Sequence, residues 1–374
     1  MLSFTNSNIY LNNKKIVKGN LTIKKGKFKL TKGKGAITLP DKYIIVPGFI
    51  EQHIHGSAGS DVMDCDSKAL NNIAKAIVKD GITSWCPTTM AMPKQDIIKA
   101  LETIANKKHF SNEAKIIGIH LEGPFLSKDK KGAQDEKCIL KPNLADMYTF
   151  IKAARNKIKM ITIQVEKCLP SFIEYLKTQK IVVSVGHSMA NGKDVIKAHH
   201  AGLSCVTHTY NAMQKVVDDE IGIIGQLLKH KDMYAELILD LKHVSKEQAL
   251  VLKHHKNLIL ISDANEARYM PDGQYKLGTN TIYVRDGKAT TKTGQLAGSV
   301  LTLTQALKNA KKVFGYSLER CIDLVAKNPA ENLHLHNCGI IKNNNPADFV
   351  IIDKNFNVYQ TYIDGQLVYS RKKF

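Results

Sequence analysis

The chain alternates short β-branched runs with longer amphipathic segments from residue 43 to about residue 335, and this alternation restricts the fold more than any other feature. Helix-like segments such as SKALNNIAKAIVKD and SKEQALVLKHHK separate the runs. Eight runs can be counted: YIIVPGFIEQHIH, GITSWCPTT, AKIIGIHLEG, IKMITIQVE, KIVVSVGHS, GLSCVTHTYNA, YAELILDLKH and NLILISDAN. Strands that alternate with helices form parallel sheets, so the pattern predicts an α/β fold and, from its eight units, a closed (β/α)8 TIM barrel over residues 43–338.

An open, doubly wound sheet is the alternative arrangement of the same units. Its dinucleotide-binding form carries a GxGxxG turn after the first strand, and no such turn follows the first run here. The closed barrel is therefore the preferred prediction.

The two chain ends have a different pattern. Residues 1–42 and 339–374 show strand-like runs broken by Asn-Asn, Lys-Gly, Asn-Pro and Asp-Gly turn signals, without helical periodicity. Because both ends are all-β, we expect them to pair into one small β-sheet domain beside the barrel.

Composition weakens several classes of function. The net charge of +20 invites a nucleic-acid interpretation, but the lysines are spread along all 374 residues without the interleaved aromatics that stack on bases. The apolar runs are far shorter than the roughly 20 residues that span a bilayer. Seven scattered cysteines without a CxxC pair indicate neither a disulfide framework nor a zinc ribbon. We expect a cytoplasmic protein that binds neither nucleic acid nor membrane.

Imidazole and carboxylate side chains recur where the predicted strands end. In a barrel of this kind the carboxyl ends of the strands converge on one mouth, which is where chemistry takes place. A lone histidine after an apolar strand is more often a hydrogen-bonded structural residue, but joint placement at several strand ends is hard to obtain from a structural rule. The strand-end residues are His53, His55, Glu122, His187, His208, His243 and Asp263.

These ligand types predict a catalytic metal site. His53 and His55 are two residues apart, so in a strand they face the same side and can bind one ion. Imidazole and carboxylate without cysteine are typical of a zinc or iron site that leaves a position open for water. Asp263 is the candidate to move the proton, and metal-assisted hydrolysis of a C–N or C–O bond is the expected reaction. Histidines elsewhere (His109, His199, His200, His254 and His255) are interpreted as solvated.

Ten motifs together resemble the amidohydrolase superfamily and, within it, the N-acetylglucosamine-6-phosphate deacetylases. They occur in the same order and at similar spacing: PGFIEQHIHG, GIHLEGPFLS, KKGAQ, VSVGHS, THTYNAM, ISDAN, MPDGQYKLG, LAGSVLTL, NPAENL and NNPADFVIID. The combination of HLEGPF with GHS and THTYNAM is specific, whereas an HxH or a PAD alone would indicate only an amidohydrolase. The resemblance implies a cytoplasmic, metal-dependent enzyme that hydrolyses the N-acetyl group of N-acetylglucosamine 6-phosphate to glucosamine 6-phosphate and acetate.

The same resemblance implies roles for individual residues. Glu122, His187 and His208 would hold the main divalent ion, zinc or iron. His53 and His55 would hold a second ion that Glu122 bridges, which gives one or two ions per chain.

The resemblance also implies how the substrate is bound and cleaved. Asp263 would take the proton from the attacking water and pass it to the departing amine, and Gln134 would orient the acetamide group. The enzyme would be a homodimer with an amino-sugar phosphate as substrate. The residues expected to line the sugar site are Ala133, Gln134, Asn211, Ala212, His243, Leu296, Ala297 and Gly298.

Two departures from the family pattern concern the phosphate. Asp219 stands where the family usually has an arginine that grips the sugar phosphate across the dimer, and Leu241 and Lys242 precede His243 where the family has Gly-x. An acidic residue repels phosphate, so Lys215 or Lys242 is expected to compensate, although a lysine lacks the bidentate fork of arginine. The alternatives are an amidohydrolase that acts on a non-phosphorylated N-acetylhexosamine or related amide, and a metal-free barrel used for assembly or binding.

Overall fold

The computed structural model describes residues 2–11, 14–30, 36–214 and 220–374. Its strands are β1 Leu2–Leu11, β2 Lys15–Lys24, β3 Lys27–Lys29, β4 Tyr43–Pro47, β5 Phe49–Ile54, β6 Gly56–Ser57, β7 Ser60–Asp61, β8 Ile82–Pro87, β9 Lys115–Ile116, β10 Ile119–Glu122, β11 Ile158–Ile163, β12 Val182–Val185, β13 Leu203–Val206, β14 Tyr234–Leu237, β15 Leu258–Leu260, β16 Gly273–Leu277, β17 Asn280–Arg285, β18 Lys288–Thr291, β19 Phe349–Asp353, β20 Val358–Ile363 and β21 Gln366–Ser370.

The helices are α1 Ser67–Ile77, α2 Lys94–Asn106, α3 Leu144–Ala153, α4 Pro170–Thr178, α5 Gly192–Ala201, α6 Gly222–Lys229, α7 Lys246–Val251, α8 Leu303–Phe314, α9 Leu318–Asp323 and α10 Lys327–Asn332. Short 3-10 turns lie at Val62–Asp64, Val78–Asp80, Lys128–Lys130 and Glu136–Cys138. Within the described ranges, no helix has both the length and the apolar character needed to cross a membrane.

The central part of the chain is a TIM-barrel-type domain. Its parallel strands form one six-stranded sheet in the order β10-β11-β12-β13-β14-β15 and one three-stranded sheet in the order β5-β8-β9. One parallel bridge, Thr88–His120, joins the end of β8 to β10, and another, Ile54–Ala264, joins β5 to the segment after β15, so the two sheets are connected on both sides. Strands β5, β8 and β10 are buried along their whole length, as expected of strands covered on one face by helices and on the other by the barrel interior.

Amphipathic helices cover the outside of these strands. Helix α8 buries Leu303, Leu307 and Phe314 on one face, and its start is defined by Thr302, whose side chain accepts a hydrogen bond from the backbone N–H of Gln305. Such an N-cap stabilises a helix by about 1 kcal/mol. The helix thereby holds its apolar stripe against the barrel.

Both chain ends contribute to one seven-stranded sheet, in the order β21-β20-β19-β4-β1-β2-β3. Strand β4 lies at its centre, parallel to β1 and antiparallel to β19. The predicted first run, residues 43–55, is thus divided between this sheet and barrel strand β5. The break falls at Gly48, where a Cβ atom would lie 2.1 Å from Thr83 Oγ1. The division into residues 1–42 with 339–374 and residues 43–338 stays a prediction, and the terminal sheet extends beyond residue 42.

A three-stranded antiparallel sheet, β16-β17-β18, lies between the last barrel strand and α8, and sequence analysis did not anticipate it. It packs beside the carboxyl ends of the barrel strands, where the side-chain amide of Asn280 donates to the carbonyl oxygen of Ala133 at 2.7 Å. Leu277 at the end of β16 lines the cavity at that mouth. The inserted sheet therefore forms one wall of the candidate site.

Candidate active site

Three predicted ligands meet at the carboxyl ends of neighbouring barrel strands. Glu122 is the last residue of β10, and His187 and His208 lie two residues beyond β12 and β13. The Oε1 atom of Glu122 lies 3.3 Å from His187 Nε2 and 3.1 Å from His208 Nε2, and the two Nε2 atoms are 3.0 Å apart. All three side chains are buried. We call Glu122, His187 and His208 the main triad.

A second set of predicted residues lies directly beside the main triad. The Nε2 atom of His53 lies 3.5 Å from Glu122 Oε1, and that of His55 lies 3.3 Å from Glu122 Oε2. Asp263 Oδ1 lies 3.1 Å from His55 Nε2 and 3.5 Å from His53 Nε2. Glu122 thus stands between two groups of imidazoles, and the structure brings together all six residues expected to carry the chemistry.

Hydrogen bonds at Nδ1 fix how three of the imidazoles are presented. His187 Nδ1 donates to the carbonyl oxygen of Lys130 at 2.8 Å, and His55 Nδ1 donates to that of Thr88 at 3.2 Å. His53 Nδ1 lies 3.0 Å from the carboxylate of Glu236. In a neutral ring whose Nδ1 carries the proton, Nε2 offers a lone pair. All three lone pairs are therefore directed at the carboxylates of Glu122 and Asp263.

This arrangement fits a divalent metal ion. In the neutral rings these lone pairs face carboxylate oxygens, and the repulsion is relieved only by a cation between them, either a metal ion or a proton on Nε2. His53 Nε2 is buried with no hydrogen-bond partner among the described residues. One ligand atom each from Glu122, His187 and His208 lies within 4.8 Å of the others, and the same holds for His53, His55 and Glu122. Nitrogen and oxygen donors at this spacing suit zinc or iron.

When protons occupy these imidazoles instead of a metal ion, the opposite charges of the site favour the charged forms of both its histidines and its carboxyl groups. Burial by itself would lower the pKa of His53, but the carboxylates of Glu236 and Asp263 raise it to about 9. Burial would raise the pKa of Glu122, yet the charge of His53 and hydrogen bonds from His187 hold it well below its usual range. For Asp263, burial is likewise outweighed by His53 and by a hydrogen bond from His55, so its pKa is lowered. Both carboxyl groups are ionised near neutral pH.

Several site residues have left-handed backbone conformations. The φ angles are 48° at His187, 28° at His208 and 48° at Asp263, and Tyr210 and Ala212 in the next loop are also positive. Non-glycine residues in this region carry strain that persists where the surroundings enforce it, often at functional sites. Here the turn after each strand directs the side chain into the mouth of the barrel.

A cavity of about 650 Å³ opens above the two groups of ligands. Seven of the eight predicted sugar-site residues line it: Ala133, Gln134, Asn211, Ala212, His243, Leu296 and Gly298. Ala297 is buried behind them, and its carbonyl oxygen accepts from the side-chain amide of Asn265 at 3.0 Å. Gly298 lies so close to the barrel that a Cβ atom would stand 3.0 Å from the carbonyl oxygen of Asp263.

Gln134 and His243 are each held by a carboxylate. The side-chain amide of Gln134 donates to Glu122 Oε2 at 2.8 Å and accepts from the backbone N–H of Ala91 at 2.8 Å. His243 Nδ1 lies 2.7 Å from Asp240 Oδ2. Both side chains thus have defined orientations at the edge of the cavity.

One of the two lysines expected to supply positive charge, Lys242, lies away from the cavity. The ammonium group of Lys242 donates to the backbone carbonyl of Asp286 at 2.7 Å, and Lys242 does not line the cavity. Lys215 and Asp219 lie outside the described residues. Within the described part of the chain, the lysines that line the cavity are Lys128, Lys130 and Lys131, from the segment after β10.

Sequence analysis missed three buried polar residues beneath the predicted metal ligands. Glu236 accepts from His53 Nδ1, from Gln52 at 2.7 Å and from the backbone N–H of His208 at 3.3 Å. Burial raises the pKa of Glu51 to about 7. Burial and the neighbouring His53 lower the pKa of His120 to about 3. The available signal was a polar residue inside an apolar run, Glu236 in YAEL of β14 and His120 in IHLE of β10.

Residues 44–368 match the sequence model of the amidohydrolase family. The chain belongs to the amidohydrolase family. Amidohydrolases are metal-dependent, in agreement with the donor groups at the barrel mouth.

Similar proteins in this family include deacetylases of amino-sugar phosphates. The N-acetylglucosamine-6-phosphate deacetylase of Lysinibacillus sphaericus is 34% identical over 330 residues, 86% of this chain and 85% of the relative. The N-acetylgalactosamine-6-phosphate deacetylase of Escherichia coli O157:H7 is 31% identical, with 89% of each chain covered. A mutant N-acetyl-D-glucosamine-6-phosphate deacetylase from Mycobacterium smegmatis, solved in complex with N-acetyl-D-glucosamine-6-phosphate, superposes with a TM-score of 0.92 at 25% identity, covering 99% of both chains.

Proposed function

We propose that this amidohydrolase is a metal-dependent deacetylase that hydrolyses N-acetylglucosamine 6-phosphate to glucosamine 6-phosphate and acetate. The observation that carries the proposal is the convergence of His187 and His208 on Glu122, with Asp263 beside them at the floor of a lysine-lined cavity. Two kinds of relative that act on 6-phosphorylated N-acetylhexosamines support it.

The main triad would hold the principal ion, and His53 and His55, with Glu122 as the shared carboxylate, would hold a second. When bound, such an ion polarises an amide carbonyl and makes water a usable nucleophile near neutral pH. The three Nδ1 hydrogen bonds keep the imidazoles of His187, His53 and His55 in the tautomer that binds metal through Nε2.

Asp263 is the proposed proton carrier. Its carboxylate is ionised because its pKa is lowered, so it can accept the proton of the attacking water. A C–O bond to the acetyl carbon then forms, the C–N bond breaks, and Asp263 returns the proton to the departing amine. Gln134, fixed by Glu122 and Ala91, is placed to orient the acetamide group.

Lysines on the segment after β10 are the proposed partners of the 6-phosphate. Lys130 and Lys131 are half-buried, line the cavity and form no ion pair with any described residue. Asn211, Ala212 and His243 complete the proposed sugar site. This supply of positive charge favours a phosphorylated substrate over the non-phosphorylated alternative.

We infer three further properties of the molecule. The bridges at Thr88–His120 and Ile54–Ala264 support a barrel that is closed, with eight strands β5, β8, β10, β11, β12, β13, β14 and β15. Seven free cysteines are compatible with a cytoplasmic location. A homodimer remains part of the proposal because the resemblance to the deacetylase family implies one.

Acetate release tests the proposal directly. The purified enzyme, with its metal content measured, is assayed with N-acetylglucosamine 6-phosphate, N-acetylgalactosamine 6-phosphate and unphosphorylated N-acetylglucosamine. We expect the first to have the highest kcat/KM. A higher kcat/KM for N-acetylgalactosamine 6-phosphate would make that epimer the preferred substrate. Equal activity on unphosphorylated N-acetylglucosamine would favour the non-phosphorylated alternative. Absence of acetate release from all three, in metal-loaded protein, would refute the deacetylase.

A further inference from the structure

A second cluster of metal-binding side chains lies far from the active site. One ligand atom each from His199, His230 and Asp232 lies within 4.8 Å of the others. His199 Nε2 is 3.2 Å from Asp232 Oδ2, and the rings of His199 and His230 are 4.7 Å apart between centroids. Donors around a tetrahedral ion with bonds of about 2 Å are separated by about 3.3 Å, so the His199–Asp232 spacing suits a shared ion.

The hydrogen bonds of this cluster leave nitrogen lone pairs without a proton donor. His199 Nδ1 donates to the backbone carbonyl of Leu203 at 2.9 Å, so in the neutral ring Nε2 directs a lone pair at the carboxylate of Asp232. His230 Nε2 is buried and has no hydrogen-bond partner among the described residues. His199 Nε2 and Asp232 Oδ2 therefore face each other as two acceptors, and His230 Nε2 has no partner among the described residues. A cation bound by all three atoms would satisfy them.

The backbone around the cluster also favours positive charge. His199 lies in the last turn of α5, and His230 is the C-cap residue of α6. The carboxyl end of a helix carries a partial negative charge, and here two such ends meet. The side-chain amide of Asn257 donates to the carbonyl oxygens of Lys231 and Asp232, which fixes the loop that presents the carboxylate.

The cluster lies on the opposite face of the barrel from the active site. It is adjacent to the first residues of β13 and β14, Leu203 and Tyr234, whereas the catalytic side chains lie at the carboxyl ends of the strands. Helix α5, with ten residues, separates the two faces by roughly 15 Å at 1.5 Å per residue. The cluster therefore shares no ligand with the catalytic centre.

We propose that His199, His230 and Asp232 form a separate site for a transition-metal dication of the zinc class, with water in the remaining positions. The ion links the end of α5 to the loop between α6 and β14, and so joins two consecutive βα units from outside. Because the unfolded chain lacks this geometry, metal bound here stabilises the folded protein. The site does not depend on the deacetylase activity proposed above.

Metal counting with matched variants tests this site. The parent protein and the variants His230→Ala, Asp232→Ala and His200→Ala are equilibrated with excess Zn²⁺, separated from free metal and analysed for zinc per chain. His200 is the control because it lies beside His199 in the same helical turn, exposed, with its ring 6.5 Å from that of His199, and it is outside the cluster. Asp232 is 70% exposed, so its replacement leaves the fold intact.

We expect the parent and His200→Ala to hold one equivalent of zinc more than His230→Ala and Asp232→Ala. Added zinc should raise the thermal midpoint of the parent and His200→Ala by more than that of the other two, while kcat for acetate release is the same in all four. Equal zinc content in all four proteins would overturn the proposal. Loss of the same equivalent of zinc in His200→Ala would also overturn it. So would a difference in thermal midpoint between the parent and the His230→Ala and Asp232→Ala variants that is the same with and without zinc, because that difference would reflect only a His199–Asp232 ion pair.

Discussion

Glu122 is the residue on which the candidate active site depends most. Its two carboxylate oxygens face four imidazoles, since Oε1 is near His187, His208 and His53, and Oε2 is near His55. The same Oε2 accepts from Gln134. One side chain thus connects both proposed metal positions with the residue placed to orient the substrate amide.

Asp263 should be needed for turnover and not for metal binding at the main triad. Asp263→Asn keeps the size of the side chain but cannot accept and return a proton, and a positioned general base contributes about 10²–10⁴-fold to the rate. We expect kcat to fall by that factor while zinc analysis shows the main position filled. Activity within a few-fold of the parent would remove Asp263 from the mechanism.

Glu236 is a positioning residue for His53. Its carboxylate accepts from His53 Nδ1 through Oε2 and from the Gln52 amide through Oε1. In a Glu236→Gln variant the side chain has only one acceptor oxygen, so its NH₂ group would face one of these two donors. Outer partners of metal-binding histidines typically contribute about 10–100-fold to metal affinity. Glu236→Gln should weaken the His53–His55 position by about that factor, measured by metal titration, and weaken the main triad less. Unchanged affinity at both positions would contradict this role.

The six chemistry-bearing residues could be predicted from sequence because each lies at or just beyond the carboxyl end of an apolar strand, and parallel strands bring these ends together. The partners of the imidazoles could not be predicted. The carbonyls of Lys130 and Thr88 and the carboxylate of Glu236 reach His187, His55 and His53 from segments distant in sequence, and only the folded geometry defines such distances. His255, interpreted from sequence as solvated, is buried and donates to the carbonyl of Met233.

At the scale of elements, the segment after β10 has two tasks. Its backbone holds the predicted metal ligand His187 through the Lys130 carbonyl, and its lysine side chains line the cavity. The adjoining wall comes from the β16-β17-β18 sheet, which contacts this segment through Asn280 and Ala133. The sequence pattern did not indicate this sheet because its strands are short and half-exposed. The walls of the substrate cavity therefore come from segments that connect the barrel strands to the helices, while the predicted metal ligands are positioned by the barrel strands themselves.

Lysines of this segment should determine phosphate recognition. A hydrogen bond to a charged group contributes about 1.5–3 kcal/mol, or roughly 10–100-fold in kcat/KM. Lys130→Met and Lys131→Met are expected to lower kcat/KM by about that factor for the 6-phosphorylated sugar and to change it little for the free sugar. Lys242→Met is the control, because the Lys242 ammonium binds the Asp286 carbonyl outside the cavity. A larger loss of kcat/KM in Lys242→Met than in Lys130→Met and Lys131→Met would instead indicate that Lys242 binds the phosphate.

At the scale of the molecule, the first and last barrel strands meet where the active site is assembled. The backbone N–H of Asp263 donates to the carbonyl of His53 at 3.0 Å, and that of His55 donates to the carbonyl of Ala264 at 2.9 Å. Closing this seam places Asp263 beside both imidazoles. The alternation of eight strands predicted that the first and last barrel strands would meet. The division of residues 43–55 between two sheets could not be predicted, because it depends on the pairing of β4 with β1 and β19 from the two chain ends.

A buried ion pair links the segment after the last barrel strand to the turn before β8, next to this seam. Arg268, after the last barrel strand, is fully buried and pairs with Asp80, which precedes β8. Removing one partner of a buried pair leaves an uncompensated charge and typically costs about 3–5 kcal/mol. Asp80→Ala should lower the free energy of unfolding in urea by about that amount. An effect below about 0.5 kcal/mol, the range of ordinary surface substitutions, would show that the pair does not stabilise the seam.

The central claim is that metal held by the main triad is the source of the hydrolytic activity, and His187→Ala tests it most directly. The measurement is metal content per chain together with kcat/KM for acetate release from N-acetylglucosamine 6-phosphate, in the variant and in the parent. Because the substitution removes one of three ligands, we predict that metal content at the main position and activity fall together. A variant that keeps the full metal content and full turnover of the parent would contradict the assignment of the active site.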